Sequence, residues 1–413
     1  MRGKAFLWLA FSLPLVGFGQ RVIEIKLEGL KQTKENYVQL FISTRTGDPY
    51  DSLKAEQDRQ RLANLETMRT VSLEKSINQD GIRLTFHFKE MVNTIPIFAL
   101  GKTRETFWCR AGAQANNLGG NGGKLIAYYQ YYDRHSAFVS YTQPWVKNKP
   151  VGFSGTFIRW ATLEPVAFNQ SQVTYNYGNL SGSISGLYHF GFRESLELGV
   201  QSFKEHYLRI GYTAEPMAPE SYYRKGGLVK GIFRSNRINY STFYLKGFSY
   251  QLNTELIKRT GDGSLFFIAF HELKYFKRVG TKGNLASRLR MGLSTNEASP
   301  FAPFVLDSYL NIRGVGNRVD RGTGSIVANL EYRQTIFDKK YFAAQTVAFT
   351  DFGSWRKPGG KFSDFAQSIN MKAFSGLGLR IIYKGAFDTL LRIDYGFDYN
   401  HQGGLVIGIG QYF

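Results

Sequence analysis

The chain has 413 residues, among them 25 Tyr, 34 Phe and 44 Gly, and carries 52 Lys and Arg against 32 Asp and Glu, a net charge of +20. With a mean hydropathy of −0.27 and a single long apolar run at its start, it is no bundle of membrane helices, and the composition suits many alternating strands. The basic residues stand singly along strands and turns, with no recognition motif beside them, so nucleic acid is not an expected partner.

Residues 1–19 carry Arg2 and Lys4, then an apolar stretch from Ala5 to Phe18, with Gly17-Phe18-Gly19 as a small-x-small cleavage pattern. This is the pattern of a secretory signal. Cys109 is the only cysteine, so no internal disulfide is expected; alternation sets it among Phe107, Ala111, Ala113 and Ala115, as a small apolar residue.

From residue 20 to 91 the pattern reads strand, helix, helix, strand, strand. Ile23, Ile25 and Leu27 share one strand face, Thr33 can cap a helix carrying Tyr37, Val38 and Phe41, and Gly47-Asp48-Pro49-Tyr50 breaks the chain before a second helix. Leu53, Leu62 and Leu65 are expected to point inward from that helix, and Asn78-Gln79-Asp80-Gly81 joins two final strands, near 70–75 and 82–89. The runs IEIKLEGLKQTKE, GDPYD, LANLETMRTVSLE and LTFHFKE resemble a polypeptide-transport-associated (POTRA) domain, with Met68 where the family usually has an aromatic residue.

Residues 92–413 then alternate apolar and polar positions. Leu391, Ile393, Tyr395, Phe397 and Tyr399 share one face and Arg392, Asp394, Gly396 and Asp398 the other; in the last segment Leu405, Ile407, Ile409 and Phe413 face lipid, with Val406, Gly408, Gly410 and Tyr412 opposite. Lumen lining and contacts to lipid phosphates then explain the positive charge. Sixteen such segments are counted from residue 106 on, beginning with 107–116 and including 170–177 and 180–189 as separate strands. The fold class is mainly β: a small α+β domain followed by a 16-stranded antiparallel transmembrane barrel. Short turns at Asp133-Arg134-His135, Gly191-Phe192, Asn236-Arg237, Gly280-Thr281-Lys282, Asp338-Lys339-Lys340 and Lys384-Gly385-Ala386 are expected on the small domain's side; Ala161 to Asn169 fits poorly as such a turn.

Asn117-Leu118-Gly119-Gly120-Asn121-Gly122, Gln143-Pro144-Trp145, Asn329-Leu330-Glu331-Tyr332-Arg333, Asp351-Phe352-Gly353, Gly376-Leu377-Gly378-Leu379-Arg380 and Leu391-Arg392-Ile393-Asp394-Tyr395 follow one another as in BamA/TamA-type outer-membrane assembly proteins, which the chain resembles. Ile312-Arg313-Gly314, between the eleventh and twelfth predicted strands, is similar to that family's Val/Ile-Arg-Gly-Phe/Tyr loop signature, with Val315 at the aromatic position. The resemblance implies that this sixth outer loop folds into the lumen, with Arg313 paired to Asp351 and Glu331 as a second candidate. It also implies an outer-membrane protein, with its small domain in the periplasm, that inserts or translocates unfolded polypeptide clients. Its partners would be the lipid bilayer, those clients and other assembly-complex subunits, and no cofactor or metal is implied. Cys109 on the first strand and Gly408, Gly410 and Phe413 on the last would form a weakly packed lateral seam, since small residues and glycines pack poorly. Thr70, Val71, Ser72 and Leu73 would offer a strand edge to an extended client. The alternative is a passive outer-membrane pore; a barrel hydrolase is set aside, because the six histidines show no metal spacing and no Ser-His-acid set can be picked out.

Overall fold

The computed structural model describes residues 20–102, 107–132, 134–168, 172–241, 243–261, 263–308, 310–316, 320–384 and 390–413. The expected signal segment 1–19 and the turn residues Asp133, Gly385 and Ala386 lie outside them.

The small domain comprises β1 (Val22–Glu28), α1 (Glu35–Gln39), α2 (Ser52–Ala63), β2 (Met68–Asn78) and β3 (Gly81–Glu90). Its sheet order is β1-β3-β2, with β1 parallel to β3 and β2 antiparallel to it. The core gathers Val22, Val38, Phe41, Leu62, Met68, Ile82, Leu84 and Phe86, so Met68 fills its position as a buried side chain. Two expectations fail here. Leu53 is 67% exposed, because it stands in the first turn of α2, where Asp51 caps the backbone N–H groups of Leu53 and Lys54. Thr33 does not cap α1: Lys34 holds the N-cap position without a side-chain bond, and the Thr33 hydroxyl accepts a hydrogen bond from Asn117 instead (2.8 Å).

Asp58 sits fully buried beneath the segment that follows α1 and accepts bonds from Ser43 N (3.0 Å), Ser43 Oγ (2.7 Å), Thr44 N (2.8 Å) and Thr44 Oγ1 (2.7 Å). Burial alone would raise its pKa, but the bonds from Thr44 and Ser43 outweigh it and hold the carboxyl below its ordinary value. A depressed folded-state pKa contributes stability above the unfolded value, about 3.9, and loses it as pH falls further. Hydrogen exchange of residues 20–91 in the full chain, corrected for its intrinsic pH dependence, should therefore stay constant from about pH 7 to 5 and accelerate below about 4. Asp58→Ala, which strands the Ser43 and Thr44 donors, should already be destabilised by about 3 kcal/mol at neutral pH.

The barrel strands are β4 (Thr94–Lys102), β5 (Phe107–Leu118), β6 (Gly123–Tyr132), β7 (His135–Gln143), β8 (Val151–Ala167), β9 (Gln172–His189), β10 (Glu194–Arg209), β11 (Ser221–Asn236), the short β12 (Asn239–Ser241), β13 (Tyr244–Arg259), β14 (Leu265–Val279) and β15 (Gly283–Ser294). A small hairpin, β16 (Phe304–Leu306) with β17 (Asp320–Gly322), interrupts the series, which resumes with β18 (Gly324–Asp338), β19 (Phe342–Arg356), β20 (Met371–Tyr383), β21 (Leu390–Phe397) and β22 (Gly403–Ile409). Each long strand pairs with its sequence neighbours, and β22 closes on β4.

Sixteen long strands close the ring, but they are not the predicted sixteen. The first, β4, carries apolar residues on both faces, Ile95 and Ile97 against Pro96 and Phe98, and a proline besides, so alternation does not reveal it. Conversely the predicted strands 170–177 and 180–189 are not separate: residues 172–189 form one strand, β9. Gly178 reads as a turn residue but lies mid-strand, where the His206 ring of β10 takes the space of its missing side chain. The two errors offset in the count while swapping the ends of everything between them. Arg134 and His135 are at the end away from the small domain, and the misfit from Ala161 is β8 running on to Ala167.

Contacts with the small domain fix the sides. Lys34 N donates to Gly120 O (3.0 Å), and a side chain at Gly122 would strike the Tyr37 hydroxyl. Phe41 packs edge-on against Trp145 (5.6 Å), Arg61 lies 4.1 Å over Phe192, Asn64 Nδ2 bonds Asn239, and Arg69 donates to Lys384 O (2.8 Å). Gly120 and Gly122 thus serve close approach of this domain to the barrel rim.

Candidate functional site in the barrel lumen

The last strands direct a set of charges inward by simple alternation. On β18 Asn329, Glu331 and Arg333 are buried while Leu330 and Tyr332 face out; on β19 Phe349 and Asp351 are buried while Thr350 and Phe352 face out. Register places Asn329 beside Asp351 and Glu331 beside Phe349. Arg380 of β20 and Asp394 of β21 complete the ring of buried charge.

Into this set descends the sixth outer loop, between β15 and β18. Arg313 is fully buried. Its Nε and Nη2 donate to the two Asp351 oxygens at 2.8 and 2.9 Å, its backbone N–H donates to Asp351 at 2.9 Å, and Nη1 donates to Glu331 at 2.6 Å. Asp394 stands 3.6 Å from Nη1. The guanidinium carbon lies 3.6 Å from the Phe349 ring centre and 4.4 Å from that of Tyr412. This bidentate, stacked geometry needs arginine rather than lysine. Gly314 has φ +88°, and any side chain there would run into the Gly396 backbone of β21. Ile312 seats on Gly353, whose added Cβ would meet its side chain, and packs with Val315, Val327, Trp355 and Phe374. Ile312, Arg313, Gly314, Asp351 and Glu331 are therefore brought together, and the smaller Val315 is buried in the same cluster.

Several members of the site carry no role in the sequence reading. Asp351 also accepts from Asn329 (2.8 Å), whose Nδ2 reaches the loop carbonyl of Asn311 (2.8 Å) and whose Oδ1 accepts from Arg288 (2.9 Å). Arg333 donates to Glu331 (2.5 Å), and Arg380 donates to Asp394 (2.5 Å). Their signal was a charge repeated on the inward face of successive strands.

The seam residues are placed differently than expected. Cys109 lies on the second barrel strand, paired with Leu100 of β4 and Tyr131 of β6, so it is not at the closing junction. Gly408 is on the last strand and faces inward, where the Arg392 guanidinium occupies the space of its absent side chain. Gly410, with φ +84°, ends that strand. The chain then turns into the lumen, so Phe413 does not face lipid: it is buried with Tyr412, Ile238, Phe276 and Ala286, and its main-chain oxygen accepts from Arg333 (3.1 Å). The guanidiniums of Arg313, Arg392 and Arg288 lie 4.4, 4.9 and 5.1 Å from the Tyr412 ring centre, and the Tyr412 hydroxyl donates to Ser308 O of the sixth loop (3.3 Å). Thr70, Val71, Ser72 and Leu73 do lie on an edge strand, with one edge carbonyl, that of Val71, taken by Arg59 (3.1 Å).

Residues 117–413 match the family model described as the Omp85 superfamily domain, and residues 20–91 match the one described as the surface antigen variable number repeat of the POTRA type. The chain belongs to the Omp85 superfamily. This Omp85 barrel is similar in fold to the structure of BamA from Haemophilus ducreyi lacking POTRA domains 1–3, at 14% identity and a TM-score of 0.58, over 94% of this chain and 83% of that one. It is also similar to CdiB from Escherichia coli, at 11% identity and a TM-score of 0.60, over 94% and 75%, and to CdiB from Acinetobacter baumannii, at 14% and 0.55, over 94% and 73%. The comparison with curated proteins gave no match. As an Omp85 member carrying a POTRA domain, the protein resides in the outer membrane with that domain in the periplasm, and serves protein insertion or polypeptide translocation. The Asn117–Gly122 turn is accordingly periplasmic, and the sixth loop enters the lumen from outside.

Proposed function

We propose that this chain inserts β-strand polypeptides into the outer membrane by opening between β4 and β22, while Arg313 keeps the sixth loop seated in the lumen. The observation that carries the reading is strand length around the closing junction: β22 has 7 residues, β21 has 8 and β4 has 9, against 17 and 18 in β8 and β9. Fewer ladder bonds hold that sector, and Pro96 removes a donor from β4. Once parted, the two strands present unpaired N–H and C=O groups on which a client strand can add. The edge of β2 at Thr70 to Leu73 would receive the extended client first. The work is noncovalent, the exchange of the chain's own strand pairing for a client's. A passive pore needs an open lumen, and residues 304–308, 310–316 and 410–413 fill part of this one.

The test is a cysteine pair placed across β4 and β22 in a Cys109→Ser background, reconstituted in liposomes with an unfolded outer-membrane protein. The oxidised form should fold yet fail to insert the client, and reductant should restore insertion. Full activity in the oxidised form would reject the lateral route.

A further inference from the structure

The tip of the sixth loop is not its only attachment. Earlier in the loop Phe301 is 3% exposed. Its ring stacks on Tyr222 with centroids 4.5 Å apart and planes 6° from parallel, lies 4.5 Å from Tyr207, and meets Tyr175 edge-on at 5.4 Å. These three tyrosines come from β11, β10 and β9, across the ring from β18 to β21. The socket is itself braced. Tyr175 donates to Pro219 O (2.9 Å), Tyr177 donates to Glu205 (2.8 Å), and Arg224 pairs with Glu205 (2.8 Å) beneath the Tyr207 and Tyr222 rings. On the same side Glu297 pairs with Arg259 of β13 (3.0 Å), and Arg321 pairs with Glu164 of β8 while donating to Ala302 O (3.2 Å). The loop is thus fastened to two walls, by a buried ionic cluster at its tip and by an aromatic stack flanked by ion pairs at its approach.

We infer that Phe301 in its tyrosine socket is a second hold, independent of Arg313, that keeps the sixth loop across the outer mouth of the lumen when the tip is released. This rests on the reading of Arg313 as the tip's anchor. The two holds share no partner residue and lie on separate walls, so their losses should combine rather than substitute for one another. An aromatic stack depends on shape and burial and not on ionic pairing, so it survives events that unpair Arg313. Phe301 is a positioning residue: it would let the tip move during client insertion without the loop leaving the barrel and unsealing the membrane.

The experiment uses the full chain in liposomes, in a Cys109→Ser background, with Ala302→Cys as reporter, because Ala302 is only 3% exposed beside Phe301. An impermeant maleimide is applied from outside, and single-channel conductance is recorded on the same variants. Arg313→Ala alone should leave the introduced thiol protected and the barrel closed. Phe301→Ala should raise the labelling rate by about tenfold, as expected for loss of a buried aromatic contact that gates local opening. The double variant should add sustained conductance. Unchanged labelling with Phe301→Ala in the Arg313→Ala background would overturn the inference, as would full exposure of the thiol with Arg313→Ala alone. Should Phe301→Ala fail to fold, Tyr222→Ala removes the stacked ring from the wall side and is judged by the same outcomes. Exchange protection of residues 310–316 reads the Arg313 anchor separately, so failure of that reading would be seen as such.

Discussion

Arg313→Ala is expected to weaken the barrel by about 3–5 kcal/mol, the usual cost of removing one partner from a buried ion pair. Loss of charge balance is not the reason. Arg333, Arg380 and Arg392 remain against Glu331, Asp351 and Asp394. The damage falls on Asp351, which loses three of its four hydrogen bonds and keeps only that from Asn329. The backbone bond is lost with the rest because the tip no longer has reason to stay. Glu331 is better protected, since Arg333 at 2.5 Å and Arg380 at 3.7 Å still face it. Arg313→Lys should give a smaller but clear loss, because an ammonium cannot hold Asp351 bidentately, reach Glu331 and stack between Phe349 and Tyr412 at once. A compensated variant separates stability from role. Arg313→Met with Asp351→Asn removes both charges, leaves Glu331 paired, and should recover most of the thermal stability without restoring client insertion. Hydrogen exchange of residues 304–316 and resistance of the barrel to unfolding in warm detergent are the measurements. If the compensated variant inserts clients at the wild-type rate, the cluster is structural only and the proposed role of Arg313 fails.

The sequence made this cluster partly legible for a definite reason. Ile312-Arg313-Gly314 and Asp351-Phe352-Gly353 are short, local and ordered along the chain, and each glycine has a steric duty: Gly314 against the Gly396 backbone and Gly353 beneath Ile312. Asn329, Phe349, Arg380 and Asp394 were harder to assign, because alternation tells which face a residue occupies and not which strands meet across a lumen. The same limit explains the misplaced seam. Without β4 the count began one strand late, so Cys109 stood at an edge that the fold gives to Thr94–Lys102. Phe413 fits the outward parity of Leu405, Ile407 and Ile409, but parity holds only while the strand continues, and a positive φ at Gly410 ends it. Loop-to-wall contacts such as Phe301 with Tyr222 leave no periodic trace at all.

That inward turn yields the second large effect. Tyr412→Ala should cost about 3–5 kcal/mol, the range for truncating a buried aromatic side chain, and its consequences should spread in two directions. Toward the loop, Arg313 loses one of its two ring contacts and Ser308 loses the hydroxyl that bonds its carbonyl. Toward the junction, the residues after Gly410 lose the contacts with Arg288 and Arg392 that draw them inward beside β22. Exchange should therefore rise together in residues 304–316 and 403–409, although the two segments are far apart in sequence. Tyr412→Phe keeps the ring and gives up one 3.3 Å bond, so a loss of about 1 kcal/mol or less is expected. Tyr412→Leu fills much of the space but offers the three guanidiniums no ring face, and it should fall between the other two. Equal stability of the leucine and phenylalanine variants would mean that packing alone holds the tail. A rise confined to residues 403–409 would mean that the last strand and the sixth loop are not coupled through this ring, and the client-driven opening proposed between β4 and β22 would then have to release without disturbing Arg313.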